Sequence, residues 1–224
     1  MRKILPVLLL PALAGCIFGS GEASRVERVP EELRRPRLVA PRVFDRHAYG
    51  DVTKVRAGQW ASYEEGGRRI TLAAVAAAGD ATWIEVIEEG EPRQVSARLV
   101  GPDGVVRKAW YGEVSKDGTR STVEPQSLEQ NGSTAPPRLN ETRREAVEET
   151  VVVGGRELKA RGTSLRFEDL EGRLSEEITL WHPDVPPIYA GSESGGLVRR
   201  KTGKSTVSLT GFGSDAKPLI EITR

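Results

Sequence analysis

The chain has 224 residues, with 33 Lys+Arg against 32 Asp+Glu, 5% aromatic residues, one Cys and one Met. A charge near zero excludes the Lys/Arg surplus that displacing counterions from nucleic acid requires. One Cys excludes an intrachain disulfide, a multi-cysteine zinc site and an iron–sulfur cluster. At 38% hydrophobic and 29% charged, the composition is that of a folded body, and the length suits one β-rich domain with a tail.

The first residues read as an address. Arg2 and Lys3 precede an apolar run from Ile4 to Leu13, and then comes Leu13-Ala14-Gly15-Cys16. A positive start, a short apolar core and small residues before a cut site describe a secretory signal. The run is too short for a permanent span of the hydrocarbon core, which takes roughly 20 residues, and Pro6 and Pro11 interrupt it. The Leu-Ala-Gly-Cys run resembles the lipobox of bacterial lipoproteins. That resemblance implies cleavage after residue 15 and a lipid on Cys16, whose thiol is the natural nucleophile for a thioether link. The implied partner of this end is a membrane, reached through the acyl chains. Ile17 after the Cys, where Asp would mark inner-membrane retention by resemblance to enterobacterial sorting, implies the outer membrane facing the periplasm.

Residues 16–51 show no sustained periodicity. Gly19-Ser20-Gly21 is flexible, and Pro30, Pro36 and Pro41 punctuate an Arg-rich run. The expectation is a tether that holds the body off the membrane.

From Val52 to residue 224 the chain reads as antiparallel β with little helix. Turn signals at Glu65-Gly66-Gly67, Ala78-Gly79-Asp80, Gly101-Pro102-Asp103-Gly104, Lys116-Asp117-Gly118, Gly154-Gly155, Glu171-Gly172 and Thr202-Gly203-Lys204 separate runs of strand length. Several runs alternate: Val95, Ala97 and Leu99 against Gln94, Ser96 and Arg98, and Val207 and Leu209 against Thr206, Ser208 and Thr210. Leu174, Ile178 and Leu180 oppose Ser175, Glu177 and Thr179 in the same way, with Glu176 the one exception on the apolar side. Such a period of two predicts strands with one face in a core and one in water. Only Glu141 to Glu149 is compatible with a helical period, and Val151-Val152-Val153 directly after it is strand-like. Between about residues 117 and 144 the pattern lapses around Pro125, Pro136 and Pro137, which predicts a long loop.

The catalytic signatures fail on inspection. The two histidines, His47 and His182, lie in the tether and at a strand end, with no second metal ligand at a recognisable spacing. Gly191-Ser192-Glu193-Ser194-Gly195 has Glu where a nucleophile elbow needs Ser. Val198 to Ser205 mimics a phosphate loop but begins on Val and continues as strand. The reading is a non-enzymatic protein with no cofactor and no metal.

The last third carries Trp181-His182-Pro183-Asp184-Val185-Pro186, Gly196-Leu197-Val198-Arg199-Arg200-Lys201 and Leu209-Thr210-Gly211-Phe212-Gly213, with Ala57-Gly58-Gln59-Trp60 near the start of the body. These segments resemble a group of bacterial envelope proteins in which Trp-x-Ser-x-Asp-Val-Pro precedes a Gly-Leu-Val-Lys strand and a closing Phe-Gly strand. Here His182-Pro183 replaces the usual Ser, and Ile188 to Ser194 is inserted. The group is similar in layout to the LolA/LolB lipoprotein-carrier fold, which implies a strongly curved antiparallel sheet or incomplete barrel around an apolar ligand or an acylated protein. The expected ligand-facing residues are Ile70, Leu72 and Ala74, with Ala76 beside them and Trp83, Trp110 and Trp181 nearby, because small residues on an inner face leave room for a guest. The four tryptophans, Trp60, Trp83, Trp110 and Trp181, read first as structural, each large and apolar with one N–H to satisfy. The competing function is a structural or assembly subunit that binds another envelope protein through a sheet edge or the 117–144 loop.

Overall fold

A computed structural model describes residues 49–50, 52–121, 123–125, 140–168, 174–192, 194–203 and 205–221. The signal, Cys16 and most of the tether lie outside these residues. Eleven strands form one antiparallel sheet: β1 Trp60–Glu65, β2 Arg68–Ala78, β3 Ala81–Glu88, β4 Arg93–Val100, β5 Val106–Val114, β6 Glu124–Pro125, β7 Asn140–Val153, β8 Arg156–Glu168, β9 Leu174–His182, β10 Gly196–Thr202 and β11 Ser205–Gly213. Among the described residues the only helical element is a 3-10 turn at Val52–Lys54. Spatial order is β6-β5-β4-β3-β2-β1-β11-β10-β9-β8-β7, so β1 and β11 meet in the middle and the two edges are β6 and β7. The sheet is not closed.

The turn chemistry explains the meander. Gly66-Gly67 and Gly154-Gly155 both take positive φ at both residues, the backbone that a two-residue hairpin needs to match strand twist. Each connects strands in register immediately on either side, Glu65 with Arg68 and Val153 with Arg156.

One face of the sheet, the inner face, is a continuous apolar layer. Ala61, Tyr63, Ile70, Leu72, Ala74, Ile84, Val86, Val100, Leu180, Val207 and Leu209 belong to it. Irregular segments cover it: Tyr49, Val52 and Val55 from before β1, and Val185, Ile188 and Tyr189 from the β9–β10 connection. Tyr49 bridges to Tyr189, and the Gly50 N–H donates to the Ile188 carbonyl at 3.1 Å. The packed body therefore takes in Tyr49 and Gly50, which the sequence assigns to the tether.

On β2 to β5 the opposite face is apolar too. Ala73, Trp83, Ile87, Val95, Ala97 and Val114 form a second layer beneath Ala216, Leu219 and Ile220 of the C-terminal segment. The half-buried alternation expected of β4 is thus replaced by burial on both sides: Val95 and Ala97 face the second layer, while Ser96 and Arg98 are also buried. On β9, Thr179 is buried as deeply as its neighbour Leu180. In β11, by contrast, Val207 and Leu209 are buried and Thr206, Ser208 and Thr210 are half-exposed, as the alternation predicts.

The other half of the sheet rolls up. β7 touches β11, four places away in the sheet order. Arg199 on β10 pairs with Glu149 on β7, and the Arg156 guanidinium lies 5.9 Å from the Phe212 ring centre. Val153, Leu158 and Ala160, at the tip of the β7–β8 hairpin, are buried in the inner layer. β7 is a single strand from Asn140, so 140–144 leave the expected loop and the helix-compatible stretch 141–149 is extended. Its charged residues fall on both faces, which hides a period of two.

Gly162 permits the roll. It pairs with Val147 on one side and Leu180 on the other, and a Cβ placed on it would fall on the Thr179 carbonyl oxygen. Backbone cannot retreat as a flexible side chain can. Gly162→Ala is therefore expected to destabilise the fold by about 3 kcal/mol, the upper end for overpacking, and urea denaturation followed by circular dichroism would measure it.

Candidate functional site

The expected ligand-facing set is divided by the sheet. Ile70, Leu72 and Ala74 stand in register with Glu88, Val86 and Ile84 on the inner face, and all three are at most 3% exposed. Trp83 and Trp110 are on the opposite face, in the second layer. A register shift between Ala74 and Ala76 places Ala76 against Trp83, so it too leaves the inner face. Trp181 packs at the margin of the inner layer, where its Nε1 donates to the Ala190 carbonyl at 2.9 Å. The structure thus brings together four of the six, Trp181 at the margin, and separates Trp83 and Trp110 from them. Cys16 lies outside the described residues.

The inner layer is sealed by tyrosines. Tyr63 and Tyr189 meet edge to face with ring centres 5.1 Å apart, and the Tyr63 hydroxyl donates to the Leu197 carbonyl at 3.2 Å. Tyr49 accepts from Arg98 Nη1 at 3.2 Å, and Arg98 Nε donates to Ser96 Oγ at 3.2 Å. Burial pushes the hydroxyls of Tyr49, Tyr63 and Tyr189 above the ordinary tyrosine range. All three remain protonated phenols, suited to packing and hydrogen bonding rather than to proton transfer.

The second layer is closed by a different device. Glu85 points out of β3 into this layer and is fully buried. Its carboxylate accepts from the Leu219 N–H at 3.0 and 2.9 Å and from the Ile220 N–H at 3.1 Å. Two further bonds hold the start of the C-terminal segment: Trp60 Nε1 to Asp215 Oδ1 at 2.8 Å, and the Ala216 N–H to the Gly58 carbonyl at 2.8 Å. Beneath the segment, the Trp110 Nε1 is buried without a hydrogen-bond acceptor. Sequence reading passes over Glu85 and sets Arg98 on a polar strand face, although each is a lone charge beside apolar residues: Trp83-Ile84-Glu85-Val86-Ile87 and Ala97-Arg98-Leu99. A single charge flanked by large apolar residues is the signal that would have marked both.

His182 ends β9 half-buried, and its Nδ1 accepts from the Asp184 N–H at 3.2 Å. Among the described residues no group of three or more His, Cys, Asp or Glu side chains is placed to hold a metal ion. No described helix is long and apolar enough to cross a membrane. No family, curated protein or solved structure matches the chain.

Burial raises the Glu85 pKa most; the Leu219 and Ile220 N–H groups and the Arg120 charge oppose it without cancelling it. A carboxyl whose pKa is raised on folding binds more protons in the native state, so its contribution to stability grows as pH falls. The gain begins near the raised value and is complete below about 4.3, the ordinary glutamate pKa. Thermal melts of wild type and Glu85→Gln across that range should show wild type gaining on the variant as pH drops. A constant difference would mean that Glu85 does not titrate there.

Proposed function

We propose that this protein is a non-enzymatic envelope lipoprotein, anchored through Cys16, whose β body serves as a structural or assembly subunit on the periplasmic side of the outer membrane. The observation that supports an assembly role over a carrier role is the packing. Each apolar face of the sheet that could receive a guest is filled by the chain itself, the inner one by 49–55 and 185–189 and the other by 216–220. A fold that spends its own segments on both faces presents edges and loops to partners.

The apolar-ligand reading has two observations in its favour. Eleven antiparallel strands in one unclosed sheet fit a LolA/LolB-like layout. The buried, acceptorless Trp110 N–H beneath the C-terminal segment is a polar point in an otherwise apolar layer, as a ligand-binding layer would carry. In that reading the guest, a lipid moiety or the acyl group of another protein, displaces 216–220 and lies against Trp83 and Trp110.

Two measurements test the proposal. Cys16→Ala should abolish labelling by radioactive palmitate and release the protein from membranes; a variant that still labels and sediments would overturn the anchor. Native mass spectrometry of the chain from residue 23 onward, purified gently, should give the bare polypeptide mass, unchanged by added lipid or acylated peptide. A stoichiometric lipid-sized adduct would overturn the assembly reading in favour of the carrier.

A further inference from the structure

The two edges of the sheet are unequal. β6 has two residues, whereas β7 has fourteen and, among the described residues, no strand beyond it. From residue 141 to 150 every β7 side chain except Val147 is exposed, whichever face it lies on. A long edge of this kind is a template for pairing, and proteins usually blunt it with charge. Here the charge has an order: Arg143-Arg144-Glu145-Ala146-Val147-Glu148-Glu149, basic at one end and acidic at the other.

We propose that β7 pairs antiparallel with β7 of a second copy of this chain about a two-fold axis through Ala146. The axis stands normal to the sheet, so each residue keeps its face and only residues of the same parity can meet. With Ala146 at the centre, Arg144 faces Glu148 of the second copy and Arg143 faces Glu149, and each pairing occurs twice. The neighbouring registers do worse. A centre at Glu145 sets Arg143 against Val147 and Arg144 against Ala146, leaving both cations without a carboxylate. A centre at Val147 sets Glu145 against Glu149; centres at Arg144 and Glu148 set each of those residues against itself. Opposite charges directly across a strand pair stabilise it and like charges oppose it, so one register is selected from the set. The stretch 143–149 is also in unbroken register with β8, the one irregularity of β7 lying between Glu141 and Arg143.

The side chains are available for this exchange. Arg144 is 60% exposed and pairs within its own chain with Glu141; Glu148 is 57% exposed and pairs with Arg161. Arg143 pairs with Glu145, and Glu149 with Arg199. These are surface pairs that a second copy would share rather than break. Ala146 is the smallest side chain of the segment after none, so nothing bulky stands on the axis where two identical side chains must meet.

The test uses the full chain carrying Cys16→Ala, so that neither lipid nor a second thiol intervenes. Sedimentation equilibrium should give the mass of a dimer. Adding Arg144→Glu, or separately Glu148→Arg, puts like charges at both crossings and should return the mass to that of a monomer. An equimolar mixture of the two variants restores opposite charges at both crossings and should return to twice the monomer mass. As a measurement that leaves the charges intact, Ala146→Cys should form an intermolecular disulfide under mild oxidation, whereas Thr142→Cys, whose partner across the pair is Thr150, should not. A monomeric parent chain, a charge variant that stays dimeric, or a mixture that stays monomeric would overturn the proposal. So would equal cross-linking at positions 142 and 146.

Discussion

A single sheet has two faces, and in β2 and β3 both are largely apolar. With no α-helix among the described residues to lay against either, largely irregular chain has to cover them, and irregular chain brings backbone N–H groups that no strand will satisfy. Glu85 answers this problem on the second face. Its carboxylate takes the two N–H groups that the C-terminal segment presents at Leu219 and Ile220, where Ile220 seats among Val95, Ala97 and Val114. The same burial that makes these bonds strong disfavours the charge. The closure is therefore a compromise between solvation and hydrogen bonding, and the raised pKa is its signature.

The inner face is closed by other means. Val185, Ile188 and Tyr189 come from a connection whose course is set by Pro183, Pro186 and Pro187, and the Val185 carbonyl accepts the Gly196 N–H as the chain re-enters the sheet. Gly196 and Gly195 lie so close to residues 182–186 that a side chain on either would strike backbone. The residues that looked in sequence like a motif are thus explained by packing. They hold a loop down over the inner layer that contains Leu72, Leu180 and Leu197.

What the sequence made legible follows from which physical signals are local. Hairpin turns are local: Gly66-Gly67 and Gly154-Gly155 stand where two-residue connections form, and β11 shows the alternation its burial demands. Which face a strand buries is not local. β3 reads Ala-Thr-Trp-Ile-Glu-Val-Ile-Glu, apolar at odd and even positions alike, so nothing in it reveals that Trp83 points away from Ile84's layer. The register shift beyond Ala74 then turns Ala76 to the far side, and no residue type announces it. Residue character places Ile70, Leu72, Ala74 and Trp181 in one layer, but strand parity sends Trp83 and Trp110 to the other. β7 was obscured by the opposite difficulty: charge on both faces erases the period altogether, and only pairing with β8 makes it a strand.

The two halves of the sheet consequently differ in what they offer. β2 to β4 carry buried residues on both faces, and beyond β5 the sheet ends at the short β6, where it has little edge left to extend. Over residues 141–150 β7 is exposed on both sides except at Val147, and its order rests on cross-strand hydrogen bonds to β8 and on ion pairs such as Arg161 with Glu148. Exposed ion pairs are worth only about 0–1 kcal/mol each, so fourteen residues of strand are maintained at the edge with little core of their own over the first ten. The inner layer holds the hairpin tip, through Val153, Leu158 and Ala160, and Gly162 lets β8 approach the Thr179–Leu180 backbone of β9 closely. Over 143–149 the edge keeps unbroken register with β8 and exposes every side chain but Val147, so its charge order stands open to a pairing strand.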